Sequence, residues 1–247
     1  MSQHQGKVAV VTGASTGMGQ EFAIRLAKEG ASLVLAARHP ATETQKKIEE
    51  TGGKAITQSC DVTSTEDVNA LAETVKSQFG RCDILINNAG IYPFQSFAEM
   101  SYEDWRKVLA VNLDSLFITC KAFVPMMEQN SWGRIVNMTS SNTRIVAPNN
   151  THYIAAKMGV IGFTRALATE VADAGITVNA ISPGLVRTGT TESGEQAEMF
   201  DMVKQMQAIH RVAVPSDIAG IVSFLVSDDS SFITAQTIVA DGGMTRL

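Results

Sequence analysis

Val8-Ala9-Val10-Val11 is an unbroken apolar run, and apolar positions in the following Gln20–Glu29 recur at three- and four-residue spacing until Gly30. The first pattern predicts a buried strand and the second an amphipathic helix. The alternation then repeats along the chain. Strands are predicted at Ser32–Ala37, Ala55–Ser59, Ile84–Ile86, Arg134–Met138, Thr177–Ile181 and Thr237–Ala240. Helices are predicted in the polar stretch after Ala37 to about Thr51, from a cap at Ser64 or Thr65 to about Gln78, over Glu103–Gln129 and over Thr151–Ala172. Strands that are apolar on both faces and separated by helices predict an α/β fold, a doubly wound parallel sheet of about seven strands with helices on both faces and right-handed crossovers. The rhythm breaks between Thr188 and Pro215, which is polar and then methionine-rich, and a mobile helical lid is predicted at 188–215.

Composition narrows the picture. With 247 residues, 45% of them hydrophobic, the chain suits one globular domain. A net charge of −5 and the lack of a basic tract give no electrostatic case for nucleic acid. Cys60, Cys82 and Cys120 are odd in number and widely spaced, and His4, His39 and His210 are scattered, so no metal site is predicted and reduced thiols in the cytoplasm are expected. Met1–Lys7 is polar and the apolar run after it is too short for a signal peptide or membrane span, so no membrane association is expected.

The chemistry gathers at predicted strand ends. Tyr153 and Lys157 are four apart on a predicted helix and share a face. A cation one turn away favours the phenolate, so the pair is a candidate general acid/base with a depressed tyrosine pKa. Directly after the first strand, Thr12-Gly13-Ala14-Ser15-Thr16-Gly17-Met18-Gly19 opens a helix, where glycines let a backbone approach a pyrophosphate drawn to the helix amino terminus. Ala37-Arg38 ends the second strand where a carboxylate would bind the ribose hydroxyls of NAD, and an arginine there pairs with a 2′-phosphate, favouring NADP(H) over NAD(H). Asp61-Val62 ends the third strand and Asn87-Asn88-Ala89-Gly90 the fourth, so these segments converge on one crevice outside the carboxyl ends of the sheet.

The ordered set Thr12-Gly13-x-x-x-Gly17-x-Gly19, Asn87–Gly90, Asn112, Ser140, Tyr153-x-x-x-Lys157 and Pro183-Gly184 resembles the short-chain dehydrogenase/reductase family over essentially the whole chain, with Ser140 thirteen positions before Tyr153 as that family has it. The resemblance implies a single Rossmann-type, dinucleotide-binding catalytic domain over 1–247. It implies that Tyr153 is the acid/base, that Ser140 orients the substrate oxygen, and that Lys157 holds the nicotinamide ribose and depresses the Tyr153 pKa. Asn112 would serve a water relay from Lys157. Ser15, Thr16 and Met18 complete the phosphate turn, and Asn88, Ala89, Gly90, Pro183, Gly184, Val186 and Thr188 would contact the coenzyme. Candidates for the substrate wall, by position, are Tyr92, Phe94, Asn142, Thr143, His152, Leu185, Met199, Phe200, Met202 and Met206. A hydrophobic, aryl-type ketone or alcohol fits such a lining. Family members associate through the helices at 103–129 and 151–172, implying a homotetramer.

Within the family, Phe79–Leu85, Thr151–Ile154 and Asp241–Met244 are similar to bacterial 1-phenylethanol dehydrogenases, and Ser141–Thr143 and Val160–Glu170 to pyridoxal 4-dehydrogenase. Both groups carry an acid after strand two and use NAD; Ala37-Arg38 departs from them. The expected activity is reversible hydride transfer between a nicotinamide and a ketone. The alternatives are a 3-oxoacyl carrier-protein reductase, a pyridoxal-type alcohol dehydrogenase, and a non-catalytic NADPH-sensing regulator, against which the intact Asn112, Ser140, Tyr153 and Lys157 argue.

Overall fold

The computed structural model describes residues 3–193 and 198–246. Seven strands form one parallel sheet: β1 (Val8–Thr12), β2 (Ser32–Ala37), β3 (Lys54–Ser59), β4 (Ile84–Asn87), β5 (Gly133–Met138), β6 (Ile176–Pro183) and β7 (Thr237–Ala240), in the order β3-β2-β1-β4-β5-β6-β7. β1, β4, β5 and β6 are buried along their length, which is why β1 and β4 read as apolar runs, while β5 and β6 bury polar residues such as Arg134, Asn137 and Asn179 as well.

Alternate residues of the strands feed two cores. Ala9, Val11, Leu33, Leu35, Ile84 and Ile86 pack on one side with Phe22 and Leu26 of α1 (Gly17–Lys28), Ile48 of α2 (Thr42–Glu49) and Ile218 and Val222 of α10 (Pro215–Leu225). Val10, Val34, Leu85, Ile135 and Val178 pack on the other with Val68 and Leu71 of α3 (Thr65–Phe79), Phe123 and Met127 of α5 (Ser115–Gln129) and Ala168 of α7 (Thr151–Val171). Ser64 caps α3 by accepting the Asp67 N–H at 3.1 Å.

Three features differ from the sequence expectation. The predicted helix at Glu103–Gln129 is α4 (Tyr102–Leu109) and α5 joined by a π-turn over Ala110–Asp114, where the Ser115 N–H reaches back five residues to the Ala110 carbonyl. Apolar residues continue through the turn, so the pattern hides the extra residue. This 28-residue stretch is long and apolar enough to cross a membrane by length and composition; here Leu116, Cys120, Phe123 and Met127 are buried. The predicted lid contains two short helices, α8 (Gly189–Ser193) and α9 (Phe200–Met206), while residues 194–197 of it lie outside the described part. Helix α10 follows it. Pro215 stands at its first turn and Asp217 accepts the Val214 N–H at 2.8 Å, a start signal present in the sequence.

Candidate active site

The strand order reverses between β1 and β4, and the cleft opens there, outside the carboxyl ends of the strands, with a volume of about 1550 Å³. Its first wall is the β1–α1 turn. Gly13 and Gly17 sit at φ +65° and +59°, the left-handed region that glycine enters without strain. The Thr12 hydroxyl accepts the N–H groups of Asn88 and Ala89 at 3.0 Å each, and Asn88 Nδ2 donates to the Thr12 carbonyl at 3.0 Å, so the β1 and β4 loops are tied together. Thr16 gives the amino terminus of α1 no side-chain cap and the first turn holds no acid, which leaves its N–H groups open to an anion. Gly13, Ser15, Thr16, Gly17 and Met18 line the cleft, and this cradle fits a dinucleotide pyrophosphate. Gly19 does not line it. A Cβ there would overlap the Gly13 carbonyl oxygen and come 2.5 Å from Asn88 Nδ2, so Gly19 acts by letting the turn close on the helix. Gly19→Ala is expected to lower stability by about 1–3 kcal/mol and weaken coenzyme binding at least about tenfold. Thermal unfolding and coenzyme titration check this; a variant unchanged in both would show that the turn opens freely.

Arg38, Asp61 and Val62 also line the cleft, at the ends of β2 and β3. Arg38 is exposed, and the Asp61 carboxyl is held below its ordinary range, first by hydrogen bonds from Thr63 and only last by Arg38. From β6, Pro183, Gly184, Leu185, Val186 and Thr188 reach the cleft, and a Cβ on Gly17 would touch the Thr188 methyl at 3.4 Å, so this segment crosses to the β1–α1 turn.

Ser140 follows β5, and Tyr153 stands in the first turn of α7; both face the cleft. The Tyr92 ring meets the Tyr153 ring edge-on, 6.5 Å between centres and 77° between planes. Lys157 is buried one turn on, and its Nζ donates to the Met138 carbonyl at 2.8 Å. Asn112 sits in the π-turn. Its Nδ2 donates to the carbonyls of Ile91 at 2.8 Å and Val108 at 3.0 Å, and its Oδ1 accepts the Ile91 N–H at 3.3 Å. A Cβ on Gly90 would lie 2.8 Å from Asn112 Oδ1 and 3.6 Å from Lys157 Nζ, so Asn112, Lys157 and the β4 loop converge.

The expected depression of the Tyr153 pKa is not found. Burial pushes the phenol up to about 12, and the Ser140 hydroxyl facing it pulls the other way with less effect. Lys157 Nζ is turned to the Met138 carbonyl, 5.7 Å from the centre of the Tyr153 ring. Burial brings Lys157 down to about 8. At neutral pH, then, the phenol holds its proton, the form that donates to a carbonyl oxygen.

Of the predicted substrate wall, Tyr92, Phe94, Asn142, Leu185, Met199, Met202 and Met206 line the cleft; Thr143, His152 and Phe200 do not. The Thr143 hydroxyl donates to the Ser140 carbonyl at 2.7 Å, closing the loop after β5. Phe200 is turned into the fold beneath Arg187, whose guanidinium lies 5.0 Å from its ring centre. His152 is fully buried beside the amino terminus of α7. Ile91, Ile145, Val146 and Met244 line the cleft without having been predicted. Their place after strands was a usable signal for Ile91 and Met244. Val146 gave none. It caps the short helix α6 (Asn142–Ile145) at φ +55°, a conformation that a β-branched residue rarely takes. Among the described residues no group of three or more metal-ligating side chains is assembled.

A family model described as enoyl-(acyl carrier protein) reductase matches residues 13–245. The 3-oxoacyl-[acyl-carrier-protein] reductase of Synechocystis sp. is 37% identical, with 99% of both chains covered. The cyclohexanol dehydrogenase of Acinetobacter sp. is 38% identical, covering 99% of this chain and 97% of that one. The crystal structure of a short-chain type dehydrogenase/reductase from Mycobacterium marinum superposes with a TM-score of 0.94 at 32% identity, covering 99% of this chain and 98% of the other. With its parallel sheet and matched length, this chain belongs to the short-chain dehydrogenase/reductase family of NAD(P)-dependent oxidoreductases acting on CH–OH groups.

Proposed function

We propose that the protein is an NADPH-dependent carbonyl reductase and secondary-alcohol dehydrogenase for a hydrophobic, aryl-type ketone or its alcohol. The observation that carries the reading is the cleft itself: Ser140 and Tyr153 share its wall between an end built for a dinucleotide and an end lined by Tyr92, Phe94, Leu185 and methionines. A nicotinamide coenzyme supplies or removes the hydride when bound. Ser140 and Tyr153 donate to the substrate oxygen as charge develops on it, and Tyr153 gives up its proton there. Lys157 holds the coenzyme ribose. Asn112 braces the β4 loop and completes a proton path from Lys157. The name of the Acinetobacter relative, a dehydrogenase of a compact cyclic alcohol, supports a small hydrophobic substrate.

Arg38 carries the coenzyme preference, exposed at the end of β2 with no acid beside it in sequence. Three buried, unpaired cysteines accord with the cytoplasm. Tyr102, Phe117 and Met158 stand exposed on α4, α5 and α7, apolar surface that a homotetramer would cover. A second reading, a 3-oxoacyl carrier-protein reductase, is favoured by the Synechocystis relative's name and by Lys107 on the rim of the cleft.

The test is initial rates with acetophenone, pyridoxal and an acetoacetyl thioester, each with NADPH and with NADH. Acetophenone reduction is expected with NADPH preferred at least about tenfold, and Arg38→Ala is expected to bring that preference near parity. An NADH preference in the parent protein would make Arg38 a surface residue. Turnover of the thioester alone would favour the second reading.

A further inference from the structure

Helix α7 starts without the usual cap. Asn150 precedes it, but its side chain turns back to donate from Nδ2 to the Pro148 carbonyl at 3.4 Å and makes no capping bond. The first N–H groups of a helix have no partner within it, and leaving one buried and unpaired is costly. Here the Tyr153 N–H donates to Nδ1 of His152 at 2.9 Å. His152 is wholly inaccessible to solvent, and among the described residues its Nε2 has no hydrogen-bond partner. A nitrogen that accepts carries no proton, so the ring is neutral with its proton on Nε2.

We propose that neutral His152 is a positioning residue for Tyr153: its imidazole caps the helix that carries the phenol, and a proton added at Nδ1 removes that cap and loosens the alignment of Tyr153 with Ser140. The inference rests on Tyr153 being the acid/base. Adding the proton replaces an acceptor lone pair with an N–H facing an N–H, and leaves a buried cation whose Nε2–H is still unpartnered. The groups that act on the ring from the elements packed around it are the Asp104 carboxylate on α4 and the Asn150 carbonyl before α7, both favouring protonation. Asp104 is already engaged, accepting from the Ser101 hydroxyl at 2.7 Å and Gln95 Nε2 at 2.9 Å. Burial outweighs both and holds the imidazole below its ordinary 6.5. The unfolded chain therefore takes up this proton first as pH falls, so stability declines as pH drops below about 6.5, while alignment, a property of the folded protein, declines only at lower pH, where the buried ring itself is protonated.

Turnover against pH, KM and coenzyme affinity for the parent protein, His152→Leu, His152→Asn and Tyr153→Phe test this. His152→Leu is expected to lower kcat about tenfold at all pH, the cost of a lost cap, with coenzyme affinity unchanged. His152→Asn offers an acceptor oxygen near the place of Nδ1 and does not titrate. It is expected to rescue most of that loss and to flatten the acid decline of kcat, which in the parent sets in below the ordinary imidazole range. His152→Asn with the parent's acid limb, or His152→Leu with the parent's kcat, overturns the proposal. Should His152→Leu fail to fold, the acid limb of His152→Asn decides alone. Tyr153→Phe separates the two levels: full turnover in that variant overturns the role of Tyr153 itself, whereas its inactivity beside an unchanged His152→Asn profile overturns the capping role only.

Discussion

Tyr153→Phe lowers turnover at least about 10²-fold and leaves coenzyme affinity within a few-fold. The change removes one hydroxyl and keeps the ring, so the edge-on contact with Tyr92 and the packing of α7 survive. In the proposed function, what is lost is the proton donor. Its pKa near 12 means that the parent protein presents a protonated phenol throughout the neutral range, so the reductive direction needs no prior titration of this group. In the same reading Ser140 remains to donate to the substrate oxygen, which is why a residual rate is expected. Single-turnover kinetics with saturating NADPH isolate the chemical step. A Tyr153→Phe protein turning over a ketone at near the parent rate would falsify the assignment.

Lys157→Met produces the second large effect, in two directions at once. Turnover falls at least about 10²-fold, because in the proposed function the ammonium holds the coenzyme ribose and relays the proton. Stability at neutral pH rises. The ammonium is 5% exposed, and burial has moved its pKa from 10.5 to about 8. Below pH 8 both the folded and the unfolded chain carry the proton, and the fold bears the cost of a buried cation. Between pH 8 and 10.5 the folded protein releases its proton first, so this cost recedes as pH rises and is absent above 10.5. The cost is on the order of 3 kcal/mol, and the hydrogen bond to the Met138 carbonyl that methionine cannot make returns about 1 kcal/mol of it. A net gain of about 2 kcal/mol corresponds to roughly 4–8 °C in Tm for a chain of this size. Thermal unfolding at pH 7 and 10 reads it. A variant less stable than the parent at both values would show that Lys157 is held by more than it costs.

How much of this was visible in residues alone differs from element to element. The strands were visible because burial on both faces leaves β1 and β4 apolar up to their last residues, Thr12 and Asn87. The glycine turn was visible because left-handed backbone at positions 13 and 17 admits few other residues. Ser140, Tyr153, Lys157 and Asn112 were singled out by their order and spacing as a resemblance to the family, and the structure gathers them around the β4 loop and the start of α7. The sense of the tyrosine shift was not visible: a sequence counts the cation one turn away, whereas the depth of the phenol and the direction of Nζ are products of packing. His152 shows the same limit. Helical geometry turns it about 100° from Tyr153, but not toward solvent, core or its own backbone. Helix α10 is a different case, since Pro215, Asp217 and the spacing of Ile218, Val222 and Leu225 were there to be read.

The π-turn between α4 and α5 also governs how the length of the chain can drift. Its extra residue sets the phase between two helical segments that face different neighbours. Deleting one residue within Ala110–Asp114 restores regular winding and swings Tyr102–Leu109 about 100° around the axis relative to Ser115–Gln129. Asn112 would then lose Ile91, and the β4 loop its brace. Insertions and deletions should accordingly collect at surface turns such as Gly52-Gly53, where the chain only reverses, and stop short of these five residues, where a change of one is a change of direction.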